Sequence, residues 1–158
     1  MKRFTIGLIT LLLIVGCSKE PINFEQMLVE RDNVYYTKDT NKPFTGDVFS
    51  LYDDGKKKSE GAFKDGYYNG KWTSWHSNGQ KYTEGTFKDD YYDGKWTSWY
   101  ENGQKYERNL NDGKRDGLTT EWYSNGTKKY EGKYKDGKEV GKWTYYYGDG
   151  TIKEVKEY

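Results

Sequence analysis

GKWTSWHSNGQKY begins at Gly70, and GKWTSWYENGQKY begins at Gly94. A chain that writes nearly the same stretch twice, 24 residues apart, folds by stacking one unit on the next, because a fixed period of this length marks a repeat array. Anchoring each unit on a glycine extends the series. Gly46 leads to Asp54-Gly55, Gly70 to Asn78-Gly79, Gly94 to Asn102-Gly103, Gly117 to Asn125-Gly126 and Gly141 to Asp149-Gly150. Five units fit, at spacings of 24, 24, 23 and 24. Asn-Gly or Asp-Gly between runs rich in Trp, Tyr and Thr predicts a β-hairpin on a two-residue type I′ turn.

The hairpin fixes an expected register. Across Asn78-Gly79, Ser77 faces Gln80, Trp75 faces Tyr82, Thr73 faces Glu84 and Trp72 faces Gly85. A tryptophan opposite a glycine lets the ring cover the space of the missing side chain. The same register sets Val48 on Gly61 and Thr119 on Gly132. In the third unit one residue is missing, so Trp99 faces Tyr106 and Trp96 faces Asn109, with a local register change. KDGYYN (64–69) and KDDYYD (88–93) read as loops between units. Tyr158 stands seventeen residues after Gly141, the offset of Phe63, Phe87 and Tyr134, so the last unit is expected as a complete hairpin. Residues 34–158 form the repeat domain, with units starting near 46, 70, 94, 117 and 141 and residues 34–45 capping the first unit. Capping is required because no unit buries its own apolar face. Residues 17–33 lack the pattern and read as a tether with one helical turn.

Composition says what holds such an array. Only eleven Ile, Leu or Val follow Cys17, while all six Trp and all seventeen Tyr do. So few aliphatics would ordinarily mean disorder. Rings that each bury roughly 150–250 Å² replace them. Without Lys2 and Arg3, 24 basic residues face 25 acidic ones, a net charge of about −1. That balance provides no field for DNA or RNA, and nucleic acid is not an expected partner.

The first sixteen residues hold nine Ile, Leu, Val or Phe behind Lys2 and Arg3. An apolar run this short does not comfortably span a ~30 Å hydrocarbon core and reads as a signal peptide over residues 1–16. Ile14-Val15-Gly16-Cys17 resembles a bacterial lipobox. The resemblance implies cleavage before Cys17, lipidation of that residue, export and anchoring to a membrane, the outer one where the host has two. A lone thiol has no internal disulfide partner, and several acyl chains hold far more firmly than one.

Tyr130-Glu131-Gly132-Lys133-Tyr134-Lys135-Asp136-Gly137, with Glu84-Gly85-Thr86-Phe87-Lys88-Asp89 and Glu60-Gly61-Ala62-Phe63-Lys64-Asp65-Gly66, resembles the MORN repeat. The 24-residue form with Asn-Gly-Gln-Lys is similar to the bacterial, antitoxin-like MORN variant. The resemblance implies an all-β fold, an elongated single-layer antiparallel sheet of about five hairpins, about 45–50 Å long at ~4.8 Å per strand. It implies no reaction. Arg108 where glycine is expected, and Val155 in the fifth unit, depart from the pattern.

No catalytic signature stands out, and neither a cofactor nor a metal is expected. His76, the single histidine, occupies a slot that the other units fill with Tyr52, Tyr100, Tyr123 and Tyr147. Asp89, Asp90 and Asp93 fail calcium-loop spacing and suit turns. Glu60, Glu84 and Glu131 read as cross-strand partners of Thr or Lys. The candidate binding strip is therefore aromatic: Trp75, Trp99 and Trp122 in one repeated slot, with the pairs Tyr67-Tyr68 and Tyr91-Tyr92. Trp72, Trp96 and Trp143 share a second slot three residues away, on the opposite face. The expected function is an anchored, non-catalytic repeat scaffold for a protein partner in the cell envelope. A module binding wall or other glycan is the alternative, and an antitoxin-like role the second. Ring exposure separates the first two, since a glycan reader leaves regularly spaced rings in solvent.

Overall fold

The computed structural model describes residues 20–158. Cys17, its lipidation and the signal peptide lie outside the described residues. The regular elements of the described chain are all strands apart from one helical turn. The first elements are β1 (Ile22–Asn23), α1 (Phe24–Met27), β2 (Leu28–Arg31) and β3 (Val34–Thr37). The hairpins follow as β4 (Gly46–Leu51) with β5 (Lys57–Lys64), β6 (Tyr67–Trp75) with β7 (Lys81–Lys88), and β8 (Tyr91–Trp99) with β9 (Lys105–Asn111). The last two are β10 (Lys114–Trp122) with β11 (Lys128–Lys135), and β12 (Lys138–Tyr146) with β13 (Ile152–Glu157). One sheet of 11 strands runs in the order β1-β4-β5 and then consecutively to β13. All its pairings are antiparallel except the two-residue parallel contact of β1 with β4. The fold is the single-layer sheet of MORN-type hairpins that the repeat predicts.

Residues 22–33, within the segment expected as a tether, are folded. β2 and β3 pair as a separate hairpin, and Leu28 is buried. Phe24 and Tyr35 pack on Phe63, at centroid distances of 5.9 and 4.3 Å. Residues 22–37 thus close the open end of the first unit, and this cap begins well before residue 34.

Two kinds of turn alternate along the chain, in places that differ from expectation. At Asn78-Gly79 the loop has three residues. His76 N–H donates to Gln80 O at 2.8 Å, Gly79 N–H donates to His76 O at 2.9 Å, and only Gly79 of the loop has positive φ (85°). The Asn78 side chain accepts from Gln80 N–H at 2.9 Å, and Asp54, Asn102, Asn125 and Asp149 do the same in their units. That side-chain bond explains Asn or Asp before each of these glycines. The tight turns lie where loops were expected. Asp65-Gly66 has φ of 51° and 84° between paired Lys64 and Tyr67, the two positive values of a type I′ turn. Asp89-Asp90, Asp112-Gly113 and Asp136-Gly137 repeat it.

The registers of Trp72 on Gly85, Val48 on Gly61 and Thr119 on Gly132 are present. Nearer the loop the expected pairs are displaced. Trp75 faces Lys81, and Tyr82 is a β-bulge residue with no partner on β6. Lys58, Lys129 and Lys153 are the bulge residues of the first, fourth and fifth hairpins. The third hairpin has none: Trp99 faces Lys105, Ser98 faces Tyr106 and Trp96 faces Arg108 in uninterrupted register. The residue missing from the 23-residue spacing is the bulge. Its loss turns Tyr106 inward to 9 % exposure, where its sequence equivalent Tyr82 is 46 % exposed.

Candidate interaction surface

The two faces of the sheet do different work. On one, rings join unit to unit. A Cβ built on Gly61 would lie 2.2 Å from Trp72 Cδ2, one on Gly85 2.2 Å from Trp96 Cδ2, and one on Gly132 2.1 Å from Trp143 Cδ2. Each indole covers the glycine of the preceding hairpin rather than the residue it faces in its own, which is Gly85 for Trp72, Arg108 for Trp96 and Lys156 for Trp143. It then donates its Nε1–H to the next carbonyl: Trp72 to Ala62, Trp96 to Thr86 and Trp143 to Lys133, at 3.1, 3.0 and 3.3 Å. Phe63, Tyr68, Trp72, Phe87, Tyr92 and Trp96 continue as one aromatic spine with neighbouring centroids 4.6–5.4 Å apart. Between the third and fourth units the joint is different. Thr119 stands in the tryptophan slot and faces Arg108 in the glycine slot. Arg108 and Arg115 lie 5.9 Å from the Tyr106 ring centre, and Arg115 lies 5.0 Å from that of Tyr134, where the second aromatic block begins.

The opposite face carries a polar ladder. Cross-strand neighbours run Phe49, Glu60, Thr73, Glu84, Thr97, Glu107, Thr120, Glu131, Thr144 and Val155, so each ladder glutamate sits between neighbouring strands and faces threonine. The four threonines are buried. Lysines hold the glutamates: Lys71 and Lys81 lie 3.2 and 2.7 Å from Glu84, and Lys95 and Lys105 lie 2.9 and 3.2 Å from Glu107. The same row of lysines covers the second tryptophan slot. Lys57, Lys81 and Lys105 stand over Trp75, Trp99 and Trp122, at 5.4, 5.7 and 3.9 Å from the ring centres. Those contacts are cation–π pairs.

The ladder makes stability depend on pH. The Lys81 hydrogen bond holds the Glu84 carboxyl below its ordinary 4.5, with Lys71 adding to it, and Lys128 does the same for Glu131. At Glu107 burial pushes the carboxyl up, but Lys95 and Lys105 outweigh it and the net shift is down. A carboxylate depressed in the folded state stabilises fully above its unfolded pKa and ceases to as pH falls through its folded one. The melting temperature is expected to hold from neutrality to about pH 5 and to fall below about pH 4.5. Glu84→Gln with Glu131→Gln should flatten that fall, and an unchanged slope would rule out the ladder as its source.

The candidate strip divides between the faces. Trp75, Trp99 and Trp122 are half-buried beneath the lysines. Tyr68 joins the spine, its hydroxyl 3.2 Å from that of Tyr35, and Tyr92 also packs there. Tyr67 and Tyr91 are exposed, at 41 and 59 %, and Tyr92 keeps 40 % exposure. His76 does what the tyrosines of its slot do. Its Nε2–H donates to Trp99 O of the next unit at 2.7 Å, as the Tyr52 and Tyr123 hydroxyls donate to Trp75 O and Tyr146 O. Residue patterns did not point to an open groove of about 440 Å³ beside the spine, walled by Tyr68, Trp72, Phe87 and Tyr92 and floored by Ser59, Ser74 and Thr83. The repeated Ser or Thr, with Ser74 two residues after Trp72 and Ser59 and Thr83 four residues before Phe63 and Phe87, is the signal that marks it. Among the described residues no group of three His, Cys, Asp or Glu could hold a metal, and no helix is long and apolar enough to cross a membrane.

Hairpins stacked in sequence and joined ring to glycine define a repeat scaffold. The profile of the MORN repeat variant matches residues 68–89, 92–109, 115–136 and 139–158, more than half of the chain, and the chain belongs to that family. The four stretches coincide with the second to fifth hairpins. The first has the same register of Val48 on Gly61 but lies outside them. Repeats of this family generally serve interaction with proteins or membranes and are of a non-enzymatic scaffold type. No curated protein matches the chain.

Proposed function

We propose that the chain is an exported lipoprotein, anchored through Cys17, whose sheet is a non-catalytic scaffold for a protein partner in the cell envelope. The observation that carries the scaffold reading is the state of the tryptophans. Trp72, Trp96 and Trp143 are buried as joints, and Trp75, Trp99 and Trp122 lie under lysines. A glycan reader would need such regularly spaced rings open for stacking. The contact surface is then the ladder face with the exposed Tyr67 and Tyr91 at its margin, where large rings anchor protein contacts well. The sheet begins at Ile22, five residues after Cys17, a reach of about 17 Å when fully extended. The first hairpin is therefore held close to the membrane.

The test is a parallel capture on the full chain, with envelope proteins in one arm and purified wall glycan in the other. One specific protein should bind the wild type and be lost with Tyr67→Ser and Tyr91→Ser together, in a variant whose melting temperature is unchanged. Retention of glycan with no protein would overturn the reading.

A further inference from the structure

Within the array, the second strand of every hairpin is covered on its outer side by the first strand of the next: β5 by β6, β7 by β8, β9 by β10 and β11 by β12. β13 has no such neighbour among the described residues. Its edge carries Ile152, Val155 and Tyr158, exposed by 61, 49 and 52 %. Another unit of the same kind does not fit there. Lys156 stands opposite Trp143, in the slot that Gly85 and Gly132 keep empty for the ring of a following unit. Val155 stands opposite Thr144, where the other units have a ladder glutamate.

The backbone shows which groups this edge offers. Gly141 and Tyr158 exchange both of their N–H···O bonds, at 2.9 and 3.1 Å. Groups alternate in direction along an antiparallel strand, so Lys156 and Glu154 also point inward, whereas Val155 and Glu157 present N–H and C=O outward. We propose that this edge binds a second copy of the chain, the two β13 strands pairing antiparallel about a two-fold axis through Val155. In that register Val155 meets its own copy on the ladder face, and Glu154 meets Lys156 on the other face. The central charges find their opposites, and the exposed Val155 side chains find one another. A register centred on Glu154 or on Lys156 puts like charges on the axis. One centred between residues sets inward-pointing groups against outward ones. The bulge at Lys153 lies at the margin of the pairing. At the other end of the sheet the edge strand β1 is two residues long, too short to template the same contact. The inference is independent of the function proposed above, since it concerns an edge and not a face.

Sedimentation equilibrium of the full chain in density-matched detergent, from about 1 to 100 µM, reads the assembly. A monomer–dimer equilibrium is expected. Glu154→Lys and Lys156→Glu each turn two attractive pairs repulsive and should weaken it about tenfold. The double variant Glu154→Lys with Lys156→Glu restores opposite charges and should return the affinity to within about threefold of wild type. A wild type monomeric throughout, single variants without effect, or a double variant no better than the singles would overturn the proposal. A Val155→Cys substitution in a Cys17→Ser background supplies a second reading. Facing residues of a hydrogen-bonded pair lie about 5.5 Å apart at Cα, within disulfide range. Oxidation should give more covalent dimer from Val155→Cys than from Lys153→Cys or Glu157→Cys, and a maximum at either of those would overturn the register.

Discussion

Gly85→Ala should lower stability by about 3 kcal/mol, although it adds a single methyl group. The backbone is no obstacle, since Gly85 is not among the residues with positive φ. The cost is steric: the new Cβ would lie 2.2 Å from Trp96 Cδ2 and 2.3 Å from Cε2. The indole cannot swing clear without losing its hydrogen bond to Thr86 O. Gly132→Ala, 2.1 Å from Trp143, should behave alike. The chain itself shows how the conflict is relieved, because the one joint with a side chain in the glycine slot, Arg108, has Thr119 in place of the tryptophan. Trp96→Thr alone should cost about 3–5 kcal/mol as a large-to-small change. Combined with Gly85→Ala it should cost at least 1 kcal/mol less than the sum, roughly the coupling expected of residues in contact. Urea denaturation of the four proteins in the cycle measures this. Additive costs would show that ring and glycine are not a coupled joint.

Phe63→Ala is expected to be as damaging, for a different reason. Phe63 is 1 % exposed and touches Phe24 and Tyr35 of the cap as well as Tyr68 and Trp72 of the second unit. Truncating a buried phenylalanine costs about 3–5 kcal/mol. Here the loss falls on the surface that fastens residues 22–37 to the array. The midpoint of unfolding should drop, and protease should cut within residues 22–45 before the hairpins are attacked. Phe87 fills the same slot one unit on but is only partly buried and has no cap above it, so Phe87→Ala should cost about half as much and leave the cap resistant. Equal proteolysis of the two variants would mean that Phe63 is not the cap's main attachment.

Much of this fold was legible because the repeat carries its own phase. The period, the hairpins and the pairing of Trp72 with Gly85 all follow from where glycine and tryptophan recur. The bulges did not, for a physical reason. A bulge adds one residue without disturbing the run of strand-forming side chains, so Tyr82 reads like any strand tyrosine. Only the shortened third unit betrays it, by lacking it. The turns were exchanged because Asn-Gly and Asp-Gly serve both kinds. The three-residue loop uses the side chain as an acceptor, the tight turn uses the tolerance of Asp and Gly for positive φ, and composition does not tell them apart. The first part of the cap reads as a tether because FEQMLVERDN (24–33) has no period, and its order comes from the contact of Phe24 with Phe63. For the aromatic strip, the sequence gives the spacing of Trp75, Trp99 and Trp122 but not the lysines above them, which come from the neighbouring strand.

The placement of each ring on the glycine before it gives the array a sense of direction. The unit at Gly70 brings a plug, Trp72, for the socket behind it and leaves a socket, Gly85, for the plug ahead, so both halves of a joint travel in one block of sequence. Such a block can be copied in tandem and the new seams match without further change; the block at Gly94 keeps the plug, Trp96, but has Arg108 where the socket would be. The seam at Arg108 and Thr119 is keyed differently. A block moved across it would meet a lock cut for another key, and the order of units is thereby written into the joints themselves.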